Sequence, residues 1–84
     1  MSRKHKKILN AIFEKPTRSD VVWKDIEKMI VFYGGDISEG SGSRVRIYLN
    51  GVRAVFHRPH PKKETDKGAL SSMKRFLLTS GVKP

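Results

Sequence analysis

Two six-residue runs of alternating apolar and polar residues, 44–49 and 52–57, are separated by Asn50-Gly51. Asn-Gly tolerates the two positive φ values of a two-residue type I′ turn, so the pattern predicts a β-hairpin. This turn also fixes the register of the two strands. The pairs on the apolar face are Leu49–Val52, Ile47–Ala54 and Val45–Phe56. The pairs on the other face are Arg44–His57, Arg46–Val55 and Tyr48–Arg53. One face of the hairpin is therefore predicted to be core, and the other a basic surface.

Apolar residues at helical spacing predict three helices, over residues 3–14, 19–33 and 67–80. Pro16 ends the first helix. The second begins with Ser19 and Asp20 as capping residues and ends at Gly34-Gly35, whereas Thr65-Asp66 caps the third and Gly81 stops it in a Schellman motif. The predicted apolar stripes are Ile8, Leu9, Ile12 and Phe13; Val22, Ile26, Met29, Ile30 and Tyr33; and Leu70, Met73, Phe76 and Leu77.

The remaining segments complete an α+β architecture. Residues 36–39 are long enough for a short first strand, and 40–43 form a glycine-serine turn into the hairpin. After the hairpin, residues 58–63 contain two prolines and are expected to be extended. The order helix, helix, three antiparallel strands, helix predicts a two-layer domain in which the two main helices cover the apolar face of the sheet. We expect one domain over residues 1–84, with residues 1–16 as a helical extension and 19–82 as the core.

The net charge of the chain limits the classes of molecule that it is expected to bind. The chain carries 18 Lys and Arg against 8 Asp and Glu, a formal net charge of +10. Such a field attracts polyanions, of which nucleic acid is the commonest. No segment approaches the roughly 18 apolar residues of a membrane span, and the basic start lacks the apolar run of a secretory signal. Without cysteine there is no disulfide framework. These features predict a cytoplasmic protein that binds nucleic acid, without a membrane or a small-molecule cofactor.

Two histidines, His57 and His60, lie among three cations at the end of the hairpin. Histidine is the residue type best suited to exchange protons near neutral pH. A metal site is not predicted, because the pair sits at a strand end and in a loop, with no cysteine or close acidic third ligand. The alternative reading is that His57 closes the strand and His60 is a solvated loop residue.

Residues 23–81 resemble the HicA family of bacterial toxins. The features that carry the resemblance are WKDIEKMIVFYGGDIS, the glycine-serine loop, a hairpin ending in HRPHP, and KGALSSMKRFLLTSGV. The resemblance implies a fold similar to the double-stranded RNA-binding domain, with the order helix, three strands, helix. It also implies a metal-independent endoribonuclease that cleaves mRNA and a HicB-type antitoxin that neutralises it. The helix before Pro16 lies outside the usual family core.

One position departs from the family pattern, which has a catalytic histidine in or just after the glycine-serine loop. Here the matching residue is Arg44. Arginine cannot exchange a proton near neutral pH. Either cleavage has been lost, or another histidine takes the role of the family's catalytic histidine. His57 faces Arg44 in the predicted register, so an imidazole and a guanidinium could meet the same phosphate.

The candidate catalytic residues are therefore His57, His60 and Arg44, with the two histidines as base and acid and the arginine stabilising the charged transition state. The candidate RNA-binding residues are Ser43, Arg44, Arg46, Tyr48, Arg53, Arg58, Lys62 and Lys63. Two alternatives remain open. The chain could be a non-catalytic RNA-binding module in which Tyr48 stacks on bases, or a domain that binds an acidic protein partner.

Overall fold

The computed structural model describes residues 3–84 and has the predicted α+β architecture. Its elements are α1 Arg3–Ile12, α2 Trp23–Phe32, β1 Asp36–Glu39, β2 Arg44–Leu49, β3 Val52–His57 and α3 Lys67–Thr79. The three strands form one antiparallel sheet in the order β1-β2-β3. The run from α2 to α3 thus has the helix, three strands, helix order of a double-stranded RNA-binding-like fold. Within residues 3–84 no helix is long and apolar enough to span a bilayer.

The hairpin of β2 and β3 forms as predicted. Asn50 and Gly51 have φ values of 50° and 84°, the left-handed conformations of a type I′ turn. All six predicted cross-strand pairs between β2 and β3 are present. Residues alternate between the two faces, so Val45, Ile47 and Leu49 are fully buried while the residues between them are exposed. This alternation determines which side chains can meet a ligand.

Helices cover only the apolar face of the sheet. Helix α2 packs against β1, α3 packs against β3, and α1 lies against both helices. The buried core is continuous across these elements. Its members are Leu9, Ala11, Ile12, Val21, Trp23, Ile26, Met29, Ile30, Val45, Ile47, Leu49, Phe56, Leu70, Met73, Phe76 and Leu77. The opposite face of the sheet is left open to solvent.

The helix ends largely follow the sequence signals. The carboxylate of Asp66 accepts a hydrogen bond from the Ala69 amide at 2.7 Å, which caps α3. At the other end, Gly81 has a φ of 81° and the Val82 amide donates to the Leu77 carbonyl at 2.9 Å. That bond is the long one of a Schellman motif, so this prediction is confirmed. Helix α2 ends in the same way at Gly34, whose φ is 95°.

The predicted start of α2 is wrong. The helix begins at Trp23 instead of Ser19, and its N-cap residue, Val22, makes no side-chain capping bond. Asp20 does not cap because both of its carboxylate oxygens accept hydrogen bonds from Arg18, at 2.8 and 3.0 Å. This ion pair lowers the pKa of Asp20.

Residues 21–23 are extended because they pair with a distant segment. The Thr65 amide donates to the Val21 carbonyl at 2.8 Å, and the Trp23 amide donates to the Lys63 carbonyl at 3.0 Å. Val22 and Glu64 form an antiparallel bridge between them. As in any strand, alternate side chains point inward, so Val21 and Trp23 are buried while Val22, predicted as a core residue, is only partly buried. The two paired segments are about 40 residues apart in the sequence, so no local sequence pattern indicates that they pair.

Candidate functional site

The open face of the sheet presents three rows of side chains, each running across the strands. The rows follow from the observed pairing of β2 with its neighbours and from the Gly40 amide, which donates to the Arg44 carbonyl at 2.9 Å. They are Asp36–Tyr48–Arg53, Ser38–Arg46–Val55 and Gly40–Arg44–His57. We call this surface the outer face. It brings together five of the predicted site residues, and Asp36 is the one acidic member of the three rows.

The first row combines an aromatic ring with a cation. The Arg53 guanidinium carbon lies 5.5 Å from the centroid of the Tyr48 ring, within cation–π distance. The Tyr48 residue remains 42% exposed. Both line a shallow depression of about 770 Å³ that also includes Arg46 and Val55. An exposed ring beside a guanidinium can stack on a base while the cation meets a phosphate.

The last row places Arg44 beside His57 at the end of the hairpin. They are cross-strand partners and both are exposed. One further hydrogen bond, from the Arg58 amide to the Ser43 carbonyl at 2.9 Å, continues the pairing past β3. The glycine-serine loop is thereby joined to the chain that follows His57. This backbone pairing holds Ser43, Arg44 and His57 in one place; of these, the facing of Arg44 and His57 was predicted from the sequence.

Arg58 has partners that the sequence did not reveal. Its guanidinium donates to Glu27 at 2.9 and 3.4 Å and to Glu39 at 2.7 Å. The indole Nε1 of Trp23 donates to the same Glu27 carboxylate. The two carboxylates raise the pKa of Arg58, and the guanidinium lowers that of Glu39. We call Trp23, Glu27, Glu39 and Arg58 the ionic hub; it ties the chain after β3 to α2 and β1.

The hub also changes the expected role of Arg58. A phosphate that approached its guanidinium would compete with two carboxylates already in place, so Arg58 is less available to a phosphate than the arginines of the outer face. Sequence reasoning could not detect the hub, because Glu27 and Arg58 are 31 residues apart. Nothing in the local sequence around either residue indicates that the two pair.

His60, Lys62 and Lys63 lie in the segment between β3 and α3, and all three side chains are exposed. The segment is held at both ends: Arg58 joins the ionic hub, and the Lys63 carbonyl accepts from the Trp23 amide. His60 lies between these two anchors, three residues beyond His57. The sheet pairing that unites Arg44 with His57 does not extend to His60. Among residues 3–84 there is no cluster of three or more histidine, aspartate or glutamate residues that could hold a metal ion.

Comparison with known proteins identifies a family that matches this chain. A family model described as "HicA toxin of bacterial toxin-antitoxin" matches residues 23–79, from the first residue of α2 to the last residue of α3. The match therefore includes all three strands, the glycine-serine loop and the segment with His60, and it excludes α1. Searches of curated proteins and of solved structures returned no match.

Proposed function

The chain belongs to the HicA toxin family, the toxins of bacterial toxin–antitoxin systems, and on that premise we propose that it is an endoribonuclease that cleaves mRNA and is neutralised by a HicB-type antitoxin. The observation that carries the proposal is the pairing of Arg44 with His57 at the exposed end of the outer face. A proton-exchanging group and a permanent cation stand side by side on a basic surface, which suits the cleavage of a phosphodiester.

The proposed reaction is an internal transfer. One of the two histidines, His57 or His60, takes the proton of a ribose 2′-hydroxyl, and the 2′-oxygen attacks the adjacent phosphorus. The bond from phosphorus to the 5′-oxygen breaks, and the other histidine gives that oxygen a proton. The products are a 2′,3′-cyclic phosphate and a 5′-hydroxyl. The Arg44 guanidinium stabilises the negative charge that builds up on the phosphoryl oxygens.

The rest of the outer face positions the RNA. Arg46 and Arg53 contact phosphates, and Tyr48 stacks on a base, so that the strand leads toward His57. Ser43 flanks Arg44, and Lys62 and Lys63 contribute cations from the segment after β3. Arg58, which is paired with Glu27 and Glu39, makes the weakest of these contacts.

A second function is favoured by Arg44, the position at which this chain departs from the family pattern. Where the family resemblance expects a catalytic histidine, the residue is Arg44, which binds phosphate without exchanging a proton. On this alternative the protein retains RNA through its outer face and does not cut it. The two proposals share the binding surface and differ only in the chemistry at His57 and His60.

Cleavage of a long single-stranded RNA in excess EDTA tests both proposals. The variants are His57→Ala, His60→Ala and Arg44→Ala. His5→Ala is the control for the two histidine variants; His5 stacks on Phe32 with ring centroids 4.6 Å apart. Lys28→Ala is the control for Arg44→Ala, because Lys28 is an exposed cation in the helical layer. Because acid–base help contributes about 10²- to 10⁴-fold, His57→Ala should reduce the cleavage rate by at least about 100-fold, while His5→Ala should not.

The ends of the products identify the mechanism. Cyclic-phosphate ends that disappear in the His57 or His60 variant support a metal-independent nuclease with a relocated histidine. RNA that is bound but left intact by folded wild-type protein supports the binding module. If the His5 and His57 variants cut equally well, the assigned site is wrong.

A further inference from the structure

The two edges of the sheet differ in how well they are protected against another strand. Strand β1 has only four residues, two of which, Asp36 and Glu39, are acidic. Strand β3 has six residues, VRAVFH, without lysine or proline. Short, charged or proline-containing edges are the usual means of preventing strand addition. The β3 edge lacks most of them.

The backbone groups that face this edge can be identified. The Arg58 amide donates to the Ser43 carbonyl, so residue 58 faces β2. Because facing residues alternate along an antiparallel strand, Phe56, Ala54 and Val52 also face β2. Arg53, Val55 and His57 therefore direct three N–H and three C=O groups away from the sheet. Within residues 3–84, no backbone group is hydrogen-bonded to these six.

A groove runs beside this edge. It lies between β3 and α3, has a volume of about 410 Å³, and includes Phe56 and His57 on the strand and Ser72 and Phe76 on the helix. The central residue of the edge, Val55, is 58% exposed. An added strand would thus find hydrogen-bonding partners along β3 and a recess for its inward side chains. Ala54, Phe56, Ala69 and Phe76 line this recess, together with the polar side chains of Asp66 and Ser72.

From this geometry we infer that the β3 edge is a strand-addition site for an extended acidic segment of a partner protein, with alternating acidic and apolar residues. Strand addition takes its affinity from the backbone and its specificity from alternate side chains. The acidic side chains lie opposite Arg53 and His57 on the outer face, and the apolar ones enter the groove. A segment bound there covers His57.

Charge argues against a second copy of this chain as the occupant. Each copy carries a net charge of +10. An antiparallel pair centred on Val55 would set Arg53 of each copy opposite His57 of the other, and it would add no carboxylate to balance them. An acidic segment would instead place carboxylates opposite Arg53 and His57, so we assign the site to such a segment.

Amide hydrogen exchange, measured by NMR without RNA, tests the site independently of the proposed nuclease. The probe is a capped synthetic peptide of alternating glutamate and valine. In the free protein the Ala54 and Phe56 amides should exchange slowly, and those of Arg53, Val55 and His57 quickly. Saturating peptide should slow these three by at least about tenfold, because they become hydrogen-bonded. A control peptide of the same composition, with glutamates and valines in separate blocks, should leave them fast.

Two variants test the edge itself. Val55→Pro removes one outward N–H and should therefore weaken binding of the peptide. Arg53→Glu replaces a positive charge by a negative one at a single position of the outer face without removing a backbone donor. The second variant should weaken binding of the glutamate peptide by about tenfold and favour a lysine-valine peptide instead. The inference is overturned if the three amides stay fast at millimolar peptide, or if the block peptide protects them equally. It is also overturned if the free protein is a dimer with those amides already protected, since the occupant would then be a second copy.

Discussion

The ionic hub makes a quantitative prediction about stability. The Glu27 side chain is only 18% exposed, and its carboxylate accepts hydrogen bonds from Trp23 and Arg58. Removing the Arg58 side chain leaves a largely buried carboxylate without its cation. Hydrogen bonds to charged groups contribute about 1.5–3 kcal/mol, so Arg58→Ala should lower the free energy of unfolding by about 2 kcal/mol. For a domain of this size that corresponds to a fall in Tm of roughly 8–16 °C.

A double-mutant cycle separates the ion pair from other effects of truncation. The cycle uses Arg58→Ala, Glu27→Gln and the double variant, with urea unfolding followed by circular dichroism and by the fluorescence of Trp23, the single tryptophan. The two changes should be coupled by about 1–2 kcal/mol. Glu39→Gln is the matched control. It removes the other carboxylate that pairs with Arg58, but the Glu39 side chain is 71% exposed, so the loss should be much smaller.

The reasoning is refuted if Arg58→Ala unfolds at the same urea concentration as the wild type, or if the coupling is below about 0.5 kcal/mol. In that case the hub is a set of solvated surface contacts, and Arg58 is as available to a phosphate as Arg46. A loss of RNA affinity in Arg58→Ala without a loss of stability would lead to the same conclusion.

Three further predictions concern the fold. Ile47→Ala, which empties a fully buried position in the central strand, should cost about 2–5 kcal/mol in urea unfolding, and a cost below 1 would contradict the packing described. Gly51→Ala should destabilise by about 1–2 kcal/mol because the φ of 84° is unfavourable for alanine. Gly68→Ala, in the first turn of α3 with only an ordinary contact at its Cβ, should instead raise Tm. Finally, Arg58 lowers the pKa of Glu39, so this carboxylate stabilises the protein above its ordinary pKa of 4.5, and the contribution is lost as pH falls through the lowered value. The Tm difference between wild type and Glu39→Gln should accordingly be present at pH 7 and absent in strong acid; a constant difference would refute it.

Local signals predicted the parts of the fold that local chemistry determines. Asn50-Gly51 specified the hairpin and its register, because only a few dipeptides accept two positive φ values. Asp66 and Gly81 marked the ends of α3 for similar reasons. The start of α2 was misplaced because Ser19 and Asp20 carried a valid capping signal. The competing pairing of Val21 with Thr65 joins segments far apart in sequence and could not be seen there.

The same distinction holds for the candidate site. Strand alternation was sufficient to place Arg44, Arg46 and Tyr48 on one surface with His57. It could not show that Arg58 would be ion-paired, because the two partner carboxylates, those of Glu27 and Glu39, come from α2 and β1. Nor could it relate His60 to His57, since the path of a proline-containing segment depends on what holds its ends.

Residues 58–63 form a loop that is anchored at both ends. The ionic hub holds one end and the backbone bond to Trp23 holds the other, while His60 and Lys62 between them remain outside the core. Short insertions into such a loop cost little free energy, since closure entropy grows only slowly with length. Its length is therefore a variable that evolution or design can change to move His60 relative to His57 while the sheet and its register stay as they are.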